Sequence, residues 1–184
     1  MKGFQREDLR FSLCGLNCAL CPMQLGGHCP GCGGGAGNQP CAIARCSLEH
    51  GAVTYCWQCA DFPCERSPGD EPYDSFITHL RRRADLERCR DTGPAAYGQE
   101  LAEKRAILSA LLAGYNDGRR KTLYCLAANL LPLDDLRQAM EHLAILPPDL
   151  TVEERAAQAA GLLQAHAREN GVELKLRRRP KGSG

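Results

Sequence analysis

The stretch Cys14-Gly-Leu-Asn-Cys18-Ala-Leu-Cys21-Pro opens the part of the chain that decides the fold. Three more cysteine groups follow it at short spacings: Cys29-Pro-Gly-Cys32, Cys41-x4-Cys46 and Cys56-Trp-Gln-Cys59-x4-Cys64. A gap of two residues lets two thiolates reach one metal ion from a tight turn, and two such turns complete a tetrahedron. The spacing therefore predicts metal ligation by all ten cysteines: Cys14, Cys18, Cys21, Cys29, Cys32, Cys41, Cys46, Cys56, Cys59 and Cys64.

The rest of the N-terminal segment indicates the compartment. Acidic residues lie within the first ten positions, and no apolar core of signal length follows them. The longest apolar stretches, such as 123–133, are shorter than the ~20 residues of a membrane span. We therefore expect a cytoplasmic protein, where clustered cysteines are metal ligands or redox groups more often than disulfides. Disulfides remain the alternative for a secreted form.

Composition and charge limit the partners. The chain has 184 residues, 43% of them hydrophobic and 24% charged, as in a folded globular protein. Its formal net charge of +1 excludes a protein held to nucleic acid by bulk charge alone. Residues 1–65 carry one more acidic than basic side chain, so nucleic-acid contact would fall to the basic tail at 178–184. We expect an unknown protein partner, do not favour nucleic acid, and expect no membrane.

Apolar periodicity divides the chain near residue 66. We expect a cysteine-rich metal-binding module at 1–66, a linker at 67–72, a helical domain at 73–177 and a flexible basic tail at 178–184. Helices are predicted over about 75–90, 96–115, 119–130 and 133–145. A fifth starts at the capping box of residues 151–154, ends near Asn170-Gly171, and precedes a short strand at 172–177.

The predicted fold class is mostly α. An irregular, cysteine-rich, metal-stapled N-terminal module packs on a C-terminal helical domain of about four to five helices. Large apolar residues are scattered in the first half of the chain, which cannot easily build a core of its own. A structural zinc would supply folding free energy there, on the order of 10 kcal/mol per ion.

Two metal sites account for most of the cysteines. One prediction places Cys29, Cys32, Cys56 and Cys59 at one site and Cys14, Cys18, Cys21 and Cys64 at the other. Cys41 and Cys46 can displace members of either set. Two zinc ions are favoured, and a [4Fe–4S] cluster at Cys14, Cys18, Cys21 and Cys64 is the alternative, because thiolates suit both metals. His28 and His50 are alternative ligands. Of the last two cysteines, Cys125 is predicted to be a core residue and Cys89 to be exposed.

No catalytic constellation is recognisable. The x3/x2 spacing of Cys14, Cys18 and Cys21 resembles the cluster motif of radical S-adenosylmethionine enzymes, but those need a βα barrel that this helical pattern does not provide. Phosphate-loop, nucleophile-elbow and zinc-protease motifs are missing from the sequence. The favoured interpretation is a non-enzymatic adaptor or regulator. The alternatives are an iron–sulfur protein in redox or cluster-dependent enzymology, and a nucleic-acid-binding protein.

The cysteine motifs also resemble a known family. Cys-Gly-Leu-Asn-Cys-Ala-Leu-Cys-Pro, Cys-Pro-Gly-Cys, Ala42-Ile-Ala-Arg-Cys46, Cys-Trp-Gln-Cys and Phe62-Pro-Cys64 are similar to the signature of the prokaryotic domain-of-unknown-function 3795 family. The resemblance covers about residues 12–66, and the segment 118–136 is similar to a helical extension found in some members. It implies a small cysteine-rich metal-binding module and carries no reaction with it.

Overall fold

The computed structural model describes residues 3–35, 41–66 and 71–180. All regular structure within these ranges is helical, at 53% helix with no strand, which confirms the mostly α fold class. The chain forms two compact units, one of residues up to Leu101 together with the segment from Arg177, the other Ala102–Leu176. The domain boundary at 66–72 stays a prediction, and residues 67–70 of it lie outside the described residues.

The first unit combines irregular loops with short helices. Its α-helices are α1 (Pro22–Leu25), α2 (Ala42–Glu49), α3 (Arg82–Thr92) and the first turns of α4 (Pro94–Gly114). Two 3₁₀ turns, Cys18–Leu20 and Cys56–Gln58, carry cysteines. The fully buried Phe11 ring lies between aromatic neighbours, with its centroid 4.7 Å from that of Tyr97 and 5.7 Å from that of Tyr55. These rings give the cysteine-rich segment a small core against α4.

The second unit continues α4 and contains α5 (Lys121–Leu130), α6 (Leu133–Ala144) and α7 (Val152–Glu169). Leucines at helical spacing, such as Leu136, Leu143 and Leu163, are fully buried, as the apolar stripes predict. The predicted capping box is present. The Glu154 N–H donates to Thr151 Oγ1 at 3.2 Å, and the Thr151 N–H donates to Glu154 Oε2 at 2.9 Å.

The predicted helix over 75–90 is wrong in its first part. Helix α3 begins at Arg82, and Phe76 is 63% exposed rather than part of a buried stripe. The Asp74 carboxylate accepts the His79 N–H at 2.8 Å and the Arg177 N–H at 2.9 Å. An aspartate that bonds nearby backbone in this way stabilises a turn in competition with the helix.

The predicted strand at 172–177 is also wrong. Val172, Leu174 and Leu176 pack against Leu126 and Leu130 of α5, so the alternation does mark one apolar side. No strand lies beside this segment within the part of the chain that the structure describes. A strand needs the backbone groups of a neighbour to complete its ladder, and here side-chain packing replaces that pairing.

Candidate metal centre

The loop that carries Cys14, Cys18 and Cys21 is held by a buried polar network centred on Asn17. The Asn17 amide donates to Asp85 Oδ2 of α3 at 2.9 Å, and the Tyr97 hydroxyl of α4 donates to Asn17 Oδ1 at 2.8 Å. Each of Asn17, Asp85 and Tyr97 is at most 6% exposed. Both amide atoms of Asn17 therefore have partners, and two helices fix the position of the loop between its first two cysteines.

Gly15 brings the same loop against α3. It adopts φ +88°, and a Cβ built there would lie 2.2 Å from the Arg82 carbonyl oxygen. Arg82 in turn donates from Nε to the Cys14 carbonyl oxygen at 3.3 Å and forms an ion pair with Glu71. Only glycine fits both this φ and this close approach, so the Gly and Asn of Cys-Gly-Leu-Asn-Cys are structural.

Four thiols form the first thiol group: Cys14, Cys18, Cys21 and Cys32. Burial raises the pKa of the Cys18 thiol to about 12, and the nearby Cys32, Cys14 and Cys21 thiols add to the rise, opposed by the Cys32 N–H. Cys14 Sγ also lies 3.3 Å from Ser12 Oγ. The Cys18 thiol is thus influenced by the thiols of its own motif and by Cys32 of the next motif, although no three of these sulfurs, all from described residues, lie within 4.8 Å of one another.

A guanidinium lies beside this group. Arg6 Nη1 donates to the Phe11 carbonyl at 2.7 Å, and the guanidinium carbon is 5.1 Å from the Tyr55 ring centroid. Nε and Nη2 of Arg6 are buried without a nitrogen or oxygen partner. Burial raises the pKa of the Cys32 thiol, and hydrogen bonding and the positive charge of Arg6 oppose that rise. Arg6 is therefore placed to stabilise a sulfur that has lost its proton.

The second thiol group lines one pocket: Cys46 within α2, Cys56 at the start of the second 3₁₀ turn, Cys59 directly after that turn, and Cys64. The pocket wall also includes the apolar residues Ile43, Val53 and Phe62. Burial raises the pKa of the Cys56 thiol to about 12, and Cys14, Cys64 and Cys46 raise it further. The Cys56 N–H donates to the Leu13 carbonyl at 3.0 Å, which places this turn next to the first loop.

Two further donors face the second group. Nitrogen, sulfur and oxygen atoms of His50, Cys59 and Asp61 all lie within 4.8 Å of one another. His50 Nε2 is 3.3 Å from Asp61 Oδ2, and Nδ1 is 3.6 Å from Cys46 Sγ. The sequence offered His50 as an alternative ligand and missed Asp61. The sequence signal for His50 is the spacing Cys46-x3-His50, since residues four apart share a helix face.

The four other cysteines differ in their burial. Cys29 is half-buried and Cys41 is exposed. Cys125 is 4% exposed in α5, as predicted, whereas Cys89 is fully buried in α3 and the expectation of an exposed thiol was wrong. Within the described residues, no disulfide joins any of the cysteines.

The grouping differs from the predicted pairing of motifs. Cys32 influences Cys18 of the first motif, both Cys32 and Cys56 pack against the apolar cluster of Phe4, Leu13 and Ala44, and Cys64 shares a pocket with Cys56 and Cys59. The assignment of all ten cysteines as ligands stays a prediction. Thiols, an imidazole and a carboxylate are the donors that zinc takes in proteins, so the donor chemistry of both groups fits this metal.

Comparison with protein-family models, with curated proteins and with solved structures gave no match. Within the described residues, none of the helices combines the length and the apolar character that crossing a bilayer requires.

Proposed function

We propose that this protein is a metal-binding, cysteine-rich module protein that holds zinc at two centres and acts as a non-enzymatic adaptor or regulator. One observation carries the proposal: four of the predicted ligands, Cys46, Cys56, Cys59 and Cys64, line one pocket together with His50, although they come from separate motifs. Thiolates, alone or with an imidazole, are the ligands of structural zinc sites. In this proposal the metal stabilises the fold of residues 3–66.

The surroundings of the first thiol group support a metal centre. A zinc ion with four thiolates carries a net charge of −2, which is costly to bury without nearby cations or N–H donors. Arg6 supplies a buried cation that hydrogen-bonds the Cys32 sulfur, and the Cys32 N–H is hydrogen-bonded to the Cys18 sulfur.

The choice of zinc over an iron–sulfur cluster has its own support. Thiolates alone do not discriminate between the two. His50 and Asp61 add nitrogen and oxygen donors beside the second group, and such mixed sets are common for zinc, whereas clusters are held by cysteines in most proteins.

Elemental analysis of protein purified without oxygen tests this proposal. We expect a colourless protein with two zinc ions, and a Cys18→Ser variant with one fewer. Cys125→Ala is the matched control, because its thiol is buried in a helix of the second unit and its loss leaves the zinc content unchanged. A brown protein containing iron and sulfide would replace zinc by a cluster, and a full-length reduced protein without any metal would refute the proposal.

Metal removal gives a second readout, of the structural role. We expect a chelator to increase amide hydrogen exchange throughout residues 3–66 while α5, α6 and α7 stay protected. The reason is that the first unit has a small apolar core, whereas the second buries complete leucine stripes. Unchanged exchange in residues 3–66 after complete metal loss would show that the metal is not structural.

A further inference from the structure

We propose that His50 Nε2, Cys59 Sγ and the Asp61 carboxylate form a mixed-donor site for a divalent, zinc-like ion that exchanges more readily than an ion at the first thiol group. This inference rests on the proposed function, since it assigns a separate chemistry to the second centre. The first group presents only sulfur donors, whereas this site combines nitrogen, sulfur and oxygen.

The backbone of α2 fixes which nitrogen of His50 is available. Nδ1 lies 2.9 Å from the Cys46 carbonyl oxygen, one of the carbonyls left without a partner at the end of a helix. A carbonyl oxygen only accepts, so Nδ1 carries the hydrogen and Nε2 of the neutral ring presents its lone pair. Metal-binding histidines usually donate their other ring nitrogen in this way, often to a backbone carbonyl.

Nε2 faces a carboxylate oxygen. It is 3.3 Å from Asp61 Oδ2, and in the neutral ring these two acceptor atoms repel each other unless a positive charge lies between them. Two ligands bound at 2.0–2.1 Å to a tetrahedral zinc are separated by about 3.3–3.4 Å. The separation of the two side chains therefore matches one edge of a zinc coordination tetrahedron.

Cys59 distinguishes this arrangement from an ordinary ion pair. A protonated His50 beside Asp61 would also explain the 3.3 Å contact, but it would not require a thiol as third neighbour. Cys59 lies within 4.8 Å of both, so the protein supplies three ligands. Three protein ligands leave one position of a four-coordinate ion open to water or a competing ligand.

Exposure and donor type explain the expected exchange. The side chains of His50 and Asp61 are 39% and 66% exposed, so solvent and competing chelators reach the ion directly. Imidazole and carboxylate are harder donors than thiolate, so the site accepts borderline ions such as Co²⁺ and Ni²⁺ beside Zn²⁺. The ion at this site should leave first when free metal falls.

Cobalt titration of the full-length, reduced and metal-stripped protein tests the inference, followed by displacement with zinc and competition with a chelator. We expect two classes of cobalt site. His50→Ala and Asp61→Asn should weaken the lower-affinity class at least ~10-fold and leave the tighter class unchanged. The matched controls are His142→Ala in α6 and Glu65→Gln, an exposed histidine and an exposed carboxylate that should leave both classes intact.

Each other result of the cobalt titration contradicts either the inference alone or the inference together with the proposed function. Two classes that both survive His50→Ala and Asp61→Asn would show an ion pair without metal, and the inference would fail while the proposed function stands. A single class that is lost in Cys18→Ser would likewise leave only the first centre. No cobalt or zinc binding in the wild-type protein would refute the inference and the proposed function together.

Discussion

Replacing Asn17 by alanine should destabilise the first unit more than any loss of side-chain volume would explain. The substitution removes the acceptor of the Tyr97 hydroxyl and the donor to the Asp85 carboxylate, and both partners stay buried. A buried hydroxyl without its partner costs about 1–3 kcal/mol, and a hydrogen bond to a charged group contributes about 1.5–3 kcal/mol. The expected loss in the free energy of unfolding is therefore about 3–6 kcal/mol, against a total of about 5–15 kcal/mol.

Urea denaturation followed by tryptophan fluorescence measures this loss. Trp57 is the single tryptophan of the chain and stacks on Tyr55 at 5.9 Å between ring centroids, so it reports on the first unit. Asn129→Ala is the matched control, because that buried amide donates to a carbonyl of its own helix in the second unit. The control should leave the Trp57 transition unchanged.

A double-mutant cycle separates the network from side effects of the substitution. Tyr97→Phe removes only the hydroxyl and should cost about 1–3 kcal/mol, and it remains measurable if Asn17→Ala fails to fold. The two changes should be non-additive by about 1 kcal/mol or more, because they break the same hydrogen bond. Additivity within about 0.5 kcal/mol, or a loss below about 1 kcal/mol for Asn17→Ala, would refute the assignment of this network as the anchor of the loop.

Three further substitutions have expected outcomes. Gly15→Ala should cost several kcal/mol of stability or abolish folding, because the added Cβ would lie 2.2 Å from the Arg82 carbonyl oxygen. Gly161→Ala in α7 is its control: no atom lies within 4 Å of the added Cβ, and the change should stabilise the protein by about 1 kcal/mol. Equal urea midpoints for the two variants would contradict this expectation. Burial raises the pKa of Asp74, but hydrogen bonds from Arg177 and from the His79 N–H outweigh it and lower the net pKa. The stabilisation by the Asp74 carboxylate is therefore complete above its unfolded pKa of about 3.9 and is lost as the pH falls below that value. Asp74→Asn should therefore make the urea midpoint less dependent on pH between pH 5 and 2. Thr151→Ala should lower helix stability by about 1 kcal/mol in circular-dichroism melts, and an unchanged melt would show that the α7 cap is dispensable.

The helices of the second unit were predictable because their causes are local. The stripes over 133–145 and from 152 onward match α6 and α7 within one residue at the ends that the sequence marks, and the Thr151 capping box forms as expected. The errors arose where local pattern competes with distant contacts. The Asp74 carboxylate accepts a hydrogen bond from the Arg177 N–H, more than one hundred residues away, and the segment predicted to start a helix forms a turn.

The candidate site was predictable in composition and not in arrangement. Spacing within a motif predicts which cysteines can bind one metal ion together, since two thiols separated by two residues lie on one turn. It could not decide which motifs meet, and Cys64 shares a pocket with Cys46, Cys56 and Cys59 of two motifs. Asp61 carried no recognisable ligand spacing and was missed for the same reason.

The sequence by itself therefore determined the helical class, the apolar faces of the second unit and the cysteine spacings that predict a metal centre, because periodicity and chelate spacing are properties of short segments. Tertiary structure alone decided which thiols share a pocket, the place of His50 and Asp61 beside Cys59, and the anchoring of the first loop. Asn17 meets Asp85 and Tyr97 across 68 and 80 positions of the chain. Such contacts depend on how the whole unit packs, and no local pattern encodes them.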